Sequence, residues 1–303
     1  MPGIFSFRFI NNQLKLYLMK NGILILIFIN SFLGLKGQVI QGKVIDASCR
    51  TSLQYASLGL INTAIGTITN ENGEFKLETR DSTLKSTVRF SMIGYESKSF
   101  FVEELIEKEN IIELEMKPVQ IAEVVVLANS DFRKIGTTGF TIGGGVSGWG
   151  GDKFSLGHEI GLKMNLGTTA VKLENLSLRI HKQSFDSTML RLHIRNIAVS
   201  LPNEELLDKN ILFTVSNSSG WTEVALDQYN IFLKDDIVLS LEWIKVWGLN
   251  KKNMVKMGRS KEKSAVVLFS IQKNSGQMFI KRGVEAKWRS LEDSTPSIYL
   301  TVQ

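Results

Sequence analysis

The sequence predicts an all-β fold, built as two successive β-sandwiches of which the second is the larger. Three observations lead there. Apolar residues recur at every second position in short runs, turn-forming residues interrupt the runs at intervals of about ten positions, and helical periodicity is almost absent. The chain has 303 residues, 43% hydrophobic and 22% charged, which is enough for one large or two ordinary domains with buried cores. A single cysteine excludes an internal disulfide framework and any Cys-based zinc cluster.

Residues 1–37 read as an address. They contain Arg8, Lys15, Lys20 and Lys36 and no acidic residue, and an apolar run from Ile23 to Ile29 continues to Phe32 and Leu33. That run is about a dozen residues, whereas a membrane span needs roughly 20. A basic start, a short apolar centre and the small residue Gly37 describe a secretory signal peptide cleaved near Gly37–Gln38. Translation starting at Met19 would leave an ordinary signal peptide of the same kind. From Gln38 onward there are 32 basic and 30 acidic residues, so most of the formal charge of +6 belongs to the leader. No nucleic-acid partner is expected, because a basic footprint would have to survive processing. Cys49 lies a dozen residues past the cleavage site, so it is no lipid-attachment cysteine; it reads as a lone thiol in a turn, behaving as a small buried hydrophobe.

The first sandwich spans 38–117. Ile40-x-Gly42-x-Val44, Phe75 and Leu77, Val88-Phe90-Met92 and Ile112-Leu114-Met116 alternate with Lys43, Lys76, Arg89, Glu113 and Glu115, placing one face on a core and the other in water. Asn72-Gly73 signals a hairpin, because both residues tolerate positive φ. Gly66 is expected at a close backbone approach and Leu53 and Tyr55 in the core, while Val102–Asn110 is the one helix-like stretch.

Four motifs in order carry a resemblance: Gly42-Lys43-Val44-Ile45-Asp46, Leu53-x-Tyr55-Ala56-Ser57, Ile65-Gly66-Thr67-x-Thr69-Asn70-x-x-Gly73-x-Phe75 and Phe90-x-x-Ile93-Gly94-Tyr95. Together they resemble the carboxypeptidase regulatory-like domain, a transthyretin-like Greek-key sandwich common at the front of exported Bacteroidota proteins. The resemblance implies that fold for 38–117 and no peptidase activity, since the module carries neither metal nor nucleophile. Ala47-Ser48-Cys49-Arg50 departs from the Thr-Gly-type turn usual there.

Residues 118–139 are expected to be a connector. Its Glu123-Val124-Val125-Val126 run is similar to one that precedes the plug and barrel of outer-membrane TonB-dependent nutrient receptors. The 177 residues beyond Val126 are too few for both parts, so the run is expected to be a last sandwich strand.

The second sandwich, expected to be jelly-roll-like, spans 140–303. Its strands are Leu173 to Ile180, Leu190-Leu192-Ile194, Trp221 to Asp227, Ile237 to Trp243, Ala265 to Ile271 and Ile298-Leu300-Val302. Gly148-Trp149-Gly150, Glu159-Ile160-Gly161, Pro202-Asn203-Glu204, Gly220-Trp221 and Leu241-Glu242-Trp243-Ile244 resemble the C-terminal part of exported proteins that pair it with the regulatory-like domain, a resemblance that implies architecture alone. The run Lys251, Lys252, Lys256, Arg259, Lys261 and Lys263, opposed by Glu262, reads as a solvated loop, with contact to anionic sugars or lipid headgroups as the sharper alternative.

The chemistry is sparse. His158, His181 and His193 lack metal-site spacing; His181 and His193 fall on successive strands and could meet across a sheet, but His193 alternates with Leu192 and Ile194 and is expected to face solvent. Gly143-x-Gly145-x-x-Gly148 spells the dinucleotide fingerprint, yet Trp149-Gly150-Gly151 leaves no helix to follow it, and Ser147 stands outside the Gly-x-Ser-x-Gly order. All five tryptophans lie beyond residue 140. Most are expected to pack in the sandwich, and Trp149, in the glycine-rich stretch, is the candidate ligand-binding ring. The expectation is therefore a non-catalytic, exported cell-envelope protein with a structural or binding role, a glycan being one candidate ligand. Its partners would be a cell-surface glycan or an envelope protein, with no cofactor, no metal and no membrane span after cleavage. It would sit in the periplasm, at the outer membrane or outside the cell. The alternatives are an accessory or fragment of a TonB-dependent receptor, and a glycan hydrolase acting through the second domain.

Overall fold

The computed structural model of the chain describes residues 38–118, 131–143, 145–151, 156–256 and 262–303. The expected leader, the Val124–Val126 strand, Arg259 and Lys261 lie outside the described residues. Among the described residues no helix is long and apolar enough to cross a membrane.

The N-terminal unit contains β1 (Gln38–Asp46), β2 (Ser57–Leu60), β3 (Gly66–Ile68), β4 (Glu74–Thr79), β5 (Thr87–Ser91), β6 (Lys98–Phe101), the short helix α1 (Val102–Leu105) and β7 (Glu109–Leu114). Sheets ordered β4-β1-β7 and β3-β2-β5-β6 face each other. The alternating residues meet between them: Ile40, Val44, Leu58, Phe75, Leu77, Val88, Phe90, Ile112 and Leu114 form one buried cluster, joined by Leu53. Phe90 anchors it, with Phe75 and Phe100 packed edge-on at 5.3 and 6.0 Å.

Two local expectations change. The Asn72-Gly73 turn does not close a hairpin within one sheet, because β3 pairs with β2 and β4 pairs with β1. It carries the chain from one sheet to the other: the Asn70 side-chain oxygen accepts from Asn72 N and Glu74 N, and Gly73 takes φ +75°. Cys49 is exposed rather than buried, since the turn that holds it is organised by Asp46, whose carboxylate accepts from the backbone N–H of Ser48 and Cys49.

The larger unit contains β8 (Arg133–Gly136), β9 (Val146–Gly151), β10 (Glu159–Asn165), β11 (Val171–Gln183), β12 (Phe185–Ala198), β13 (Leu201–Glu205), β14 (Leu212–Val215), β15 (Gly220–Ala225), β16 (Phe232–Leu233), β17 (Asp236–Leu249), β18 (Val255–Lys256), β19 (Lys263–Lys281), β20 (Arg289–Pro296) and β21 (Ile298–Val302). The strand order β13-β12-β17-β10-β19-β11-β21-β8 folds over on itself because β19 serves both layers. Its first half pairs with β9 and β11, and its second half with β10 and β20. Apolar side chains of both layers meet in a second cluster that includes Leu162, Leu178, Leu192, Leu241, Trp243, Phe269 and Leu300. The all-β sandwich expectation holds for both units.

The β12–β13 hairpin turns through Val199 and Ser200, at φ +50° and +62°. Both positions being left-handed makes this a primed two-residue turn, which favours Asn-Gly and penalises a β-branched residue. Val199 is 96% exposed, so its side chain gains nothing from packing. Val199→Asn combined with Ser200→Gly is expected to raise unfolding stability by about 1–2 kcal/mol, read as a higher denaturation midpoint at unchanged slope.

Candidate functional site

Most of the ionisable chemistry lies where the two units meet. Across the face of β12, β17, β10 and β19 opposite the larger core, Arg191 stands against Glu242, Glu242 against Glu159, and Glu159 against Lys281. Two carboxylates directly opposite one another repel. Here cations bracket them: Arg191 Nη1 donates to Glu242 Oε2 at 2.9 Å, Arg195 Nη1 to Glu159 Oε2 at 2.6 Å, and Lys281 Nζ pairs with Glu159 Oε1. Ser240 Oγ adds a bond of 2.8 Å to Glu159.

His193 sits in the middle. Its Nδ1 lies 2.6 Å from Glu205 Oε2 and its Nε2 3.0 Å from Glu242 Oε2. Only the imidazolium can donate to both carboxylates. Burial and the neighbouring Arg195 push its pKa down, but the carboxylates of Glu159 and Glu205 outweigh them and the net shift is upward. The acids move the opposite way. Burial alone would raise Glu159, Glu205 and Glu242, yet Arg195 and Lys281 hold Glu159 well below the usual carboxylate range, His193 and Arg195 lower Glu205, and Arg191 and His193 lower Glu242.

The N-terminal unit covers this face. Arg191 Nη1 donates to Ser57 Oγ at 3.0 Å, its Nη2 donates to the carbonyl of Tyr55, and Ser57 Oγ reaches Glu242 Oε1 at 3.3 Å. Around this centre Arg89 pairs with Glu285 at 2.6 Å, Asn62 N donates to the Glu285 carbonyl at 2.9 Å, and Lys245 donates to Glu71 at 2.5 Å. Gly66 permits the close approach expected of it: a Cβ there would lie 2.9 Å from the Leu58 carbonyl oxygen and 3.2 Å from Val284 Cβ across the interface. Ile93, from the N-terminal unit, is part of the larger unit's core cluster.

Three expectations are corrected here. His193 does not face solvent; its face of β12 is buried because a second domain and a set of counter-charges replace water. His181 and His193 do not meet, since β17, β10 and β19 stand between β11 and β12 in the sheet. Trp149 is not displayed. It is 3% exposed, stacked on Trp243 at 5.6 Å and edge-on to Phe269 at 5.3 Å, because β9 pairs with β19 and turns the ring inward. Gly148, the last glycine of the dinucleotide spelling, lies inside β9.

Among the described residues no group of three or more His, Cys, Asp or Glu side chains could hold a metal ion. The exposed tryptophans are others, Trp221 and Trp247. A signal for the buried network was present in the sequence: Ile237 to Ile244 is apolar almost throughout, the pattern of a strand covered on both faces, and Glu242 interrupts it.

Residues 40–126 match the family model of the CarboxypepD_reg-like domain. The N-terminal unit is a CarboxypepD_reg-like domain. A larger β-rich region follows it. No curated protein matches the chain. Among solved structures the chain is similar to a clostridial cysteine protease, Cwp84, after propeptide cleavage, at 12% identity and TM-score 0.38, over 88% of this chain and 70% of that one. It is also similar to the cysteine protease and lectin-like domains of Cwp84, a surface layer associated protein of Clostridium difficile, at 11% identity and TM-score 0.36, over 88% of this chain and 58% of that one. The CarboxypepD_reg-like domain is a regulatory and not a catalytic domain.

The interface also sets a pH response. A histidine whose folded pKa is raised contributes stability that is fully present below its unfolded value of about 6.5 and is lost as pH rises through the folded pKa. The groups facing it are Glu205, Glu242 from β17, Arg195 from β12 and Glu159 from β10. Denaturation midpoints of the native chain are expected to fall from pH 6.5 upward relative to those of His193→Gln; parallel profiles for the two proteins would contradict the imidazolium assignment.

Proposed function

We propose that this chain is a non-catalytic, exported cell-envelope protein with a binding or structural role, in which the CarboxypepD_reg-like domain and the larger sandwich act as one rigid body. The supporting observation is the fate of its best acid–base groups. A glycan hydrolase needs one carboxyl raised so that it can donate a proton. Glu159, Glu205 and Glu242 are all lowered, held as anions by Arg191, His193, Arg195 and Lys281; burial raises Glu285, but its Oε2 is tied to Arg89 at 2.6 Å. His193 has a carboxylate within hydrogen-bond distance of each nitrogen and the Arg195 guanidinium 2.9 Å from Nδ1, so neither nitrogen is open to a substrate. The arrangement fastens two domains together. The expected partners are a surface glycan or an envelope protein, met in the periplasm, at the outer membrane or outside the cell.

The test is incubation of the purified full chain with bacterial envelope fractions and their isolated polysaccharides. Retention without release of reducing ends or peptides is the expected result. Product release abolished by Glu205→Gln would overturn the non-catalytic reading.

A further inference from the structure

On the face of the larger sandwich remote from its core, β15, β11, β21 and β8 lie side by side, with β11 between β15 and β21 and β21 pairing with β8. Their outward side chains, with Phe140 from the segment after β8, form a strip of three rings and two cations. Phe140, 41% exposed, lies over the Arg179 guanidinium with 3.8 Å from ring centre to guanidinium carbon. Arg179 stands opposite Trp221 in the β11–β15 register, and Trp221, 40% exposed, meets Tyr299 edge-on at 5.2 Å. Lys134 Nζ lies 4.9 Å over the Tyr299 ring. Four strands at a spacing of about 4.8 Å make this strip about 14 Å across, enough for a few sugar units.

We infer that this strip, Phe140–Arg179–Trp221–Tyr299–Lys134, binds a polysaccharide bearing acidic sugars. The inference rests on the binding role proposed above and names its site and ligand class. Pyranose rings present an apolar C–H face that stacks on an aromatic ring, and hydroxyls that need hydrogen-bonding partners around the ring. The strip supplies both: Trp221 and Tyr299 for stacking, with Glu223, Asn175 and Thr301 in the adjoining register positions. Lys134 lies over Tyr299 at one end of the ring pair, and Arg179, whose Nη1 also donates to Ser270 Oγ at 2.5 Å, lies on the strand between the rings, so two cations are set apart along the strip for the carboxylates of an acidic chain. The outward residues of β15 are Trp221, Glu223 and Ala225, so a partner needing an aliphatic knob-and-hole contact finds little to grip. A single-stranded DNA would also stack on the rings, but its phosphate oxygens only accept hydrogen bonds, whereas Glu223 beside the rings is an acceptor that suits the donating hydroxyls of a sugar.

The experiment is affinity electrophoresis of the full chain in gels carrying polygalacturonate, a neutral glucan or oligothymidylate, with envelope retention measured in parallel. Retardation by polygalacturonate, weakened at least tenfold by Trp221→Ala and by Tyr299→Ala, is expected. Lys134→Gln is expected to weaken it several-fold and flatten its salt dependence, and Trp247→Ala to leave it unchanged. Trp221→Phe, which keeps a ring at the position, controls for misfolding and should retain most of the retardation. No retardation by polygalacturonate, equal retardation by neutral glucan, retardation by oligothymidylate alone, or insensitivity to both ring substitutions would each overturn the assignment. Envelope retention that persists in Trp221→Ala would then show that the broader binding role stands on another surface, whereas no envelope retention by the native chain would remove that role itself.

Discussion

Replacing Arg191 with methionine is expected to destabilise the protein by about 3–5 kcal/mol, the cost of leaving a buried counter-charge uncompensated. Arg191 is 1% exposed and donates to Glu242, Ser57 and the Tyr55 carbonyl at once. Without it Glu242 stays buried beside Glu159, with His193 as its remaining close cation. The companion variant Arg191→Met/Glu242→Leu removes both charges and is expected to recover most of the loss, because an apolar pair of similar size avoids the desolvation cost. Chemical denaturation of the native chain, the two single variants and the double variant forms the cycle that isolates the pair. A loss below about 1 kcal/mol for Arg191→Met would mean that the interface is held by its rim, through Arg89–Glu285 and Lys245–Glu71. Faster proteolysis between the domains should accompany the single variant if Arg191 is their central fastening.

Trp149→Ala is expected to cost about 3–5 kcal/mol as a core truncation. The Trp149 ring fills space between Trp243 and Phe269, and all three are buried. β9 holds it there through its pairing with β19, so alanine would leave a cavity that the flanking strands cannot close without breaking register. Trp149→Phe should lose less, since it keeps a ring against Phe269. Denaturation midpoints of the two variants check the order. An alanine variant as stable as the native chain, with weakened ligand retention, would return Trp149 to the role of a displayed binding ring.

These two residues show where local pattern stops being informative. In the N-terminal unit, Val44, Phe75, Phe90 and Leu114 were legible as core from alternation alone, because a sheet with one wet face leaves a period-two trace in the sequence. Leu53 and Tyr55 were legible for the same reason, and Gly66 because a glycine marks a close backbone approach. Arg191, His193 and Arg195 carry the same alternation and the opposite meaning. A polar residue at every second position reads identically whether water or a partner domain lies above it, and only Glu159, Glu242 and Lys281, arriving from three other strands, show which. Trp149 failed on context of another kind. Its glycine neighbours suggested a loop with an exposed ring, whereas the pairing of β9 with β19, more than a hundred residues later in the chain, turns the ring inward. Trp221 fell among the tryptophans expected to pack; it lies on an outer face beside Tyr299 because strands distant in sequence set the two rings side by side.

From the amino-acid order alone came the all-β class, the two sandwiches in succession and the identity of the first, since each depends on contacts and turn preferences within a strand or between neighbours. The tertiary structure decided which polar faces are dry, which tryptophans are on show and how the domains are fastened. Those outcomes depend on what lies above a sheet, and that is set by pairings between distant strands which no local periodicity encodes.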